Sequence, residues 1–319
     1  THAKWYQRAA ELEGVPMFGL DKNTGPWGGE ANEHKLEYEV AQYLEAIDWM
    51  EKVTGREYND ELMVEAMQND VRSHWLWAQI CMQNQAIPAP VNERRLYRFY
   101  NFGQNMPHYK STVDLFQTLL DEMKDRVKRG IAGVPTEKFR YMTESQPPWA
   151  FLRFYREIET IYGAVSVGSP YVFGLAGRWQ FEEDGTRLPC KLPEELGLSI
   201  STANSREENI RAYAIWQHHD DDHDMNRSKP HSLIERRNRR MVKLVQDWHV
   251  QALIAHRNRG CEMLSLSGPE RQQEAREAGA APRIEVEGSM ADPREFDFPR
   301  EIARVEAFLE GLGCEKLTK

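Results

Sequence analysis

The sequence predicts an α/β protein in which a helical region precedes a C-terminal domain built on a parallel sheet. Two patterns lead to this prediction. From about residue 33 to residue 129, apolar residues repeat at helical spacing. After Gly130, short apolar runs alternate with amphipathic segments of helical length. Such alternation is typical of units in which parallel strands are covered by helices on both faces.

The first part of the chain contains one short strand-like run and four expected helices. Residues 15–20 are apolar and suit a strand, and a loop rich in Gly, Pro and Asn follows at 23–29. The first helix is expected to end at Thr54-Gly55, and the second to run from Asn59 or Asp60 to Ile87-Pro88. The third is expected to start near Asn92, and the fourth to open with a capping box from Ser111 to Asp114.

The second part contains four expected strands and four expected helices. The strands are predicted at 138–143, 163–168, 252–255 and 283–287. The helices are predicted at 149–162, 232–248, 269–278 and 299–312, with an irregular stretch between 169 and 231. In a parallel sheet the carboxyl ends of the strands meet at one edge, where ligands bind.

Composition narrows the classes of function. The chain has 319 residues and a formal net charge of −9, with no long Lys/Arg run. Nucleic acids and acidic membrane surfaces are therefore poor candidate partners. No apolar stretch reaches the ~18–20 residues that span a bilayer, and four widely spaced cysteines favour a reducing, cytoplasmic setting. No P-loop, G-x-G-x-x-G or G-x-S-x-G motif occurs.

The loop from His256 to Glu262 is expected at the carboxyl end of a strand. It contains Gly260, where backbone can approach a ligand closely, and the thiol of Cys261. Neighbouring arginines favour the thiolate, which is the form that binds metal. A simply packed thiol is the alternative interpretation.

Three more loops are expected at the same edge, at 144–149, 168–171 and 287–294. Together they suit a ligand cleft, although Ser, Gly, Pro and Asp are also ordinary turn residues. The candidate substrate-binding residues in these loops are Ser145, Gln146, Trp149, Ser169 and Tyr171.

The run from His218 to Asp224 has the composition of a metal site. Adjacent residues rarely share one face, so a solvated surface loop is the favoured interpretation. Cys81, Cys190 and Cys314 have no partner at metal-site spacing.

Several longer motifs carry a resemblance to a known superfamily. The segments 258–262, 292–296 and 304–310 resemble C-terminal motifs of the 2-hydroxyacyl-CoA dehydratase and benzoyl-CoA reductase superfamily. Segments 145–149 and 163–169 look like benzoyl-CoA reductase, most closely its B-type subunit. The likeness extends over essentially the whole chain.

The resemblance implies two flavodoxin-like α/β domains and a [4Fe–4S] cluster held by three cysteines. Cys261 matches the third of these, and the first two are expected in a segment before Thr1. The domain prediction is therefore the end of a first α/β domain at 1–32, a helical region at 33–135, and a C-terminal α/β domain at 136–319.

The resemblance implies that the chain is part of an oxidoreductase that reduces the aromatic ring of benzoyl-CoA in an ATP-dependent reaction. The implied partners are a C-type subunit, ATP-hydrolysing activator subunits and ferredoxin as the electron source. His256 and Glu262 are candidate proton donors by position. Two alternatives are a 2-hydroxyacyl-CoA dehydratase subunit, which is a lyase, and a non-catalytic scaffold subunit.

Overall fold

The computed structural model describes residues 2–21, 30–225, 233–261, 273, 276–289 and 292–318. The chain divides into two compact units. One comprises Thr1–Gln68 with Lys191–Pro230, and the other comprises Asn69–Cys190 with His231–Lys319. Within the described ranges, no helix combines the length and the apolar character needed to cross a membrane.

The described helices and strands follow in chain order. The helices are His2–Glu13 (α1), Glu30–Thr54 (α2), Asp60–Met82 (α3), Glu93–Leu96 (α4), Tyr100–Asn105 (α5), Lys110–Arg129 (α6), Arg153–Tyr162 (α7), Pro170–Ala176 (α8), Arg206–Met225 (α9), Leu233–Asp247 (α10) and Phe298–Gly311 (α11). The strands are Phe139–Glu144 (β1), Ala164–Ser166 (β2), Trp179–Phe181 (β3), Arg187–Pro189 (β4), Ala252–Asn258 (β5) and Arg283–Gly288 (β6).

The larger unit is built on a four-stranded parallel sheet of order β2-β1-β5-β6. Counted along the chain within this sheet, the order is 2-1-3-4, which matches the start of the flavodoxin-like order. The predicted mixed α/β fold with a parallel sheet is confirmed. Strands β3 and β4 form a separate antiparallel pair, inside the stretch that was expected to be irregular.

The core of this unit consists of large apolar side chains that the sheet and its helices bury together. Trp77 of α3 is fully buried, and its indole N–H donates to the carbonyl oxygen of Val172 at 2.9 Å. Trp248 is also fully buried beside the end of α10. A buried indole needs such a hydrogen-bond partner, because an unpaired N–H in an apolar core is costly.

The smaller unit has its own core, in which α2 packs against α9. Its buried apolar residues are Leu36, Val40, Ile47, Met63, Ile210 and Ala214. His218 lies inside α9, where its Nε2 is 2.5 Å from the Glu39 carboxylate and both side chains are buried. The prediction of a solvated surface loop from His218 to Asp224 is therefore wrong, since the run continues a helix that buries its first histidine.

Two further local predictions differ from the structure. Val15 to Asp21 forms no strand, because the backbone of Asp21 pairs with the Gln42 side chain of α2 at 2.7 and 3.0 Å. Helix α6 starts at Lys110 without a capping box, since the Asp114 carboxylate pairs with the Lys110 ammonium at 2.6 Å. Most of the helix expected at 269–278 lies outside the described residues.

Candidate functional site

The strand order places a topological switch point between β1 and β5. The connection from β1 leads to β2 on one side, whereas β5 continues to β6 on the other. In doubly wound folds of this order, ligands bind in the crevice beyond the carboxyl ends of the strands at such a point. The loops that leave β1 at Glu144 and β5 at Asn258 border this crevice.

Gln146 connects these two loops. Its carbonyl oxygen accepts a hydrogen bond from Nδ1 of His256 at 2.8 Å, and its side-chain oxygen accepts one from the Asn258 amide. A carbonyl oxygen can only accept, so Nδ1 carries the proton and Nε2 presents a lone pair in the neutral ring. The position of Gln146 thus determines the tautomer of His256.

His256 is 3% exposed, and its Nε2 has no hydrogen-bond partner among the described residues. Burial lowers the pKa of this imidazole, so it is neutral near pH 7. A Cβ at Gly288 would lie 3.2 Å from Nε2 and 2.6 Å from the ring of Phe296. The absence of a side chain at Gly288 therefore leaves room for the imidazole and for the Phe296 ring.

Cys261 follows a tight turn at the end of β5. The Asn258 side chain accepts from the backbone N–H of Gly260 at 3.2 Å, and the Asn258 carbonyl accepts from that of Cys261 at 3.1 Å. The Cys261 residue is partly exposed, whereas the other three cysteines are buried. The neighbouring Arg259 pairs with Glu287 at 2.9 Å.

Trp149 and Tyr171 lie together on the β1–β2 side of the edge. Trp149 stacks on Tyr100 with 5.9 Å between ring centroids, and Tyr171 meets both rings edge-on at 6.1 and 6.2 Å. We call these three residues the aromatic wall. Trp149 and Tyr171 are partly exposed, so the wall offers apolar surface at the crevice.

Ser145 and Ser169 lie in the two loops that carry this wall. Ser145 has a φ of 68°, a left-handed conformation that costs a non-glycine residue energy and that clusters at functional sites. Ser169 is fully buried, and its hydroxyl caps α8 by accepting from the N–H of Val172 at 3.1 Å. The structure therefore brings Ser145, Gln146 and His256 to one loop pair, and Trp149, Ser169 and Tyr171 to the neighbouring one. Glu262 lies outside the described residues.

Sequence reasoning missed Glu93, a fully buried carboxyl group at the same edge. It accepts hydrogen bonds from Tyr97 at 2.5 Å, from Thr143 at 2.8 and 2.9 Å, and from Ser166. A glutamate in the first turn after an Asn N-cap is usual for a solvent-exposed helix. The sequence around α4 therefore gives no sign that the Glu93 side chain is buried.

Among the described residues, Cys261 is the one cysteine placed as a candidate ligand of the implied cluster. A [4Fe–4S] cubane takes about four ligands, and Cys261 is the one cysteine at the crevice. Cys81 is fully buried in α3, while Cys190 and Cys314 lie beyond β4 and α11. No group of three or more potential metal ligands occurs in the described part of the chain. These residues do not make a cluster site by themselves.

Comparison with known proteins identifies the family. Residues 1–312 match the family described as 2-hydroxyglutaryl-CoA dehydratase, D-component. Over 310 residues the chain is 23% identical to the (R)-2-hydroxyisocaproyl-CoA dehydratase alpha subunit of Clostridioides difficile, covering 96% of this chain and 67% of that protein.

Two other relatives extend this picture. The chain is 23% identical to the (R)-2-hydroxyglutaryl-CoA dehydratase subunit alpha of Acidaminococcus fermentans, covering 97% of this chain and 57% of that protein. It is 21% identical to the (R)-phenyllactyl-CoA dehydratase alpha subunit of Clostridium sporogenes, covering 98% and 68%. The chain thus spans about 57–68% of the length of these relatives.

The prediction of an oxidoreductase is wrong, because the matching family and these relatives are dehydratases, which are lyases. The segments behind that prediction are 145–149, which form the loop after β1, and 163–169, which contain β2. These segments shape the sheet edge and its loops, so their likeness indicates the superfamily but not the reaction. The chain belongs to the 2-hydroxyglutaryl-CoA dehydratase, D-component family.

Proposed function

We propose that this chain is a subunit of a 2-hydroxyacyl-CoA dehydratase. The reaction converts a 2-hydroxyacyl thioester into a 2-enoyl thioester and water, so the hydroxyl group leaves from C2 and a proton leaves from C3. The observation that carries the proposal is the family match over residues 1–312. The switch-point crevice of the sheet supports it, because it provides a place for the acyl group.

The crevice residues suit three roles in this reaction. Trp149 and Tyr171 offer an apolar face to the acyl chain, and Ser145 and Ser169 position the loops beside it. The neutral His256 ring can accept a proton at Nε2, because Nδ1 is held by Gln146. Glu262 stays a predicted proton donor.

Cys261 is proposed as one thiolate ligand of an iron–sulfur cluster, with the further ligands coming from outside the described residues. A cluster of this kind would supply single electrons to the thioester. The proposed assembly includes a related second subunit, an ATP-hydrolysing activator and ferredoxin as the electron source.

Turnover by the assembled, reduced enzyme tests the proposed reaction. The substrates are the (R)-2-hydroxyisocaproyl, (R)-2-hydroxyglutaryl and (R)-phenyllactyl thioesters of CoA, with the matching 3-hydroxyacyl thioesters as controls. We expect mass spectrometry to show loss of one water from at least one 2-hydroxyacyl thioester and from no 3-hydroxyacyl control. Intact thioesters throughout, with a fully loaded enzyme, would contradict the proposal.

Cys261→Ser tests the proposed ligand, with Cys314→Ser as the matched control because Cys314 is buried beyond α11. We expect iron content and turnover to fall in the first variant and to stay at the wild-type level in the second. A Cys261→Ser enzyme with its iron and its turnover intact would instead favour a packed thiol and a scaffold role for this chain.

A further inference from the structure

The carboxyl group of Glu93 lies in a ring of hydroxyl groups. The hydroxyl oxygens of Tyr97, Thr143 and Ser166 lie within hydrogen-bond distance of its two oxygens, and the Ser169 hydroxyl is near enough to lower the pKa of this carboxyl group. These residues come from four places: the residue that follows α4, the ends of β1 and β2, and the N-cap of α8. One side chain therefore joins four elements at the carboxyl edge of the sheet.

The chemistry of this ring favours a neutral acid. Glu93 is fully buried, and the groups that contact it in the described structure are hydroxyls, which can accept a hydrogen bond as well as donate one. An ionised carboxylate without a cation is expensive to bury. Burial raises the pKa of Glu93, and the hydroxyl groups offset only part of that rise.

Glu301 shows the contrasting solution. It is also fully buried, but its two oxygens pair with the guanidinium groups of Arg300 and Arg304 at 2.8 and 2.7 Å. The two glutamates are equally buried and differ in their partners. They therefore form a matched pair for experiment.

Three of the groups around Glu93 are covalently or directly connected to the crevice. The Tyr97 ring meets Trp149 edge-on at 5.2 Å. Thr143 lies two residues before Ser145, and Ser169 lies two residues before Tyr171. A displacement of the Glu93 carboxyl group would therefore reach both sides of the aromatic wall.

We propose that Glu93 is held as a neutral carboxylic acid and is the positioning residue that fixes the aromatic wall at the carboxyl edge. The proposed function enters this inference only through the identity of the ligand that would contact the aromatic wall. The protonation state of Glu93 does not depend on the proposed function, and its tests need no turnover.

Infrared spectroscopy tests the protonation state directly. A protonated acid gives a carbonyl band above the amide band that shifts in heavy water. We expect this band at pH 7 in the difference spectrum between wild type and Glu93→Gln, and we expect no such band between wild type and Glu301→Gln. A carboxylate band in the Glu93 difference spectrum would overturn the proposal.

The dependence of stability on pH gives a second test. Because folding raises the pKa of Glu93, protonation of this group stabilises the folded wild-type protein below the ordinary pKa of 4.5. This stabilisation is lost as the pH rises through the folded-state pKa. Glu93→Gln lacks this titration, so its Tm should rise relative to wild type between pH 4.5 and pH 8. A Tm difference that does not change with pH would contradict the neutral acid.

The other titratable groups around Glu93 stay neutral over this range. They are Tyr97 on α4, Tyr141 on β1, Tyr155 on α7 and Cys81 on α3, and burial raises the pKa of each. Their titration therefore does not produce the expected change.

The wall itself is the last test. The Trp149 contribution to the near-ultraviolet circular dichroism is the difference between wild type and Trp149→Phe. We expect Glu93→Ala to lose that contribution while Glu93→Gln, which keeps the shape of a neutral acid, retains it. If both variants retain it, Glu93 does not position the wall. Failure of every acyl thioester to bind would refute the proposed function, whereas the infrared, Tm and circular dichroism results for Glu93 would be unchanged.

Discussion

Removal of the Tyr97 hydroxyl measures the hydrogen bond that connects Glu93 to the aromatic wall. Tyr97→Phe keeps the ring that packs on Trp149 and deletes one donor to the Glu93 carboxyl group. A hydrogen bond between neutral groups contributes about 0.5–1.5 kcal/mol to stability, whereas one to a charged group contributes about 1.5–3 kcal/mol. For a neutral Glu93 we therefore expect the free energy of unfolding to fall by about 1 kcal/mol.

Urea denaturation at pH 7, followed by far-ultraviolet circular dichroism, gives this free energy. Tyr155→Phe is the control, because Tyr155 is buried and its hydroxyl is 3.4 Å from that of Tyr97 but donates nothing to Glu93 in the described contacts. A double-mutant cycle of Tyr97→Phe with Glu93→Gln isolates the pair. A coupling near 3 kcal/mol would refute the neutral acid, because only an ionised carboxylate holds its donor so strongly.

Two further predictions concern the rest of the larger unit. Burial lowers the pKa of His256, so the wild-type protein should lose stability relative to His256→Asn as the pH falls below the ordinary pKa of 6.5. Tm measurements of both proteins at pH 5.5 and 7.5 test this, and an equal change of Tm in both would contradict it. Arg140→Met removes the guanidinium that lies 2.6 Å from the buried Glu137 carboxylate, so the free energy of unfolding in urea should fall by about 3–5 kcal/mol. The double variant Arg140→Met/Glu137→Gln should recover part of this loss, and a loss below about 1 kcal/mol would show that the ion pair is dispensable.

The parallel sheet could be predicted from the sequence because its strands are buried on both faces. The run from Ala252 to Ala255 is apolar without a break, and such runs bounded by polar loops indicate central strands of a parallel sheet. The strand predicted at 15–20 failed on the same signal. An apolar run also suits a segment that packs along a helix, and here Phe18 contacts Trp49 of α2 with 5.6 Å between ring centroids.

The loops of the crevice could be predicted from strand ends, but their partners could not. His256 and Gln146 are 110 residues apart, and their hydrogen bond depends on which strands are neighbours. Glu93 was missed for the same reason. Its helix has the sequence of an exposed turn, and the carboxyl group is buried only because Thr143 and Ser166 come from two strands that pair with each other.

The crevice has two sides with different chemistry. On the β5–β6 side lie the imidazole of His256 and the thiol of Cys261, which are the groups able to exchange a proton or bind iron. On the β1–β2 side lie the aromatic wall and the hydroxyl groups around Glu93, which are uncharged when Glu93 is a neutral acid. Gln146 belongs to the loop of the second side and fixes the tautomer of the first. A change that moves the wall should therefore also disturb His256, so Glu93→Ala should alter the imidazole signal of His256 in NMR spectra while Glu93→Gln leaves it in place.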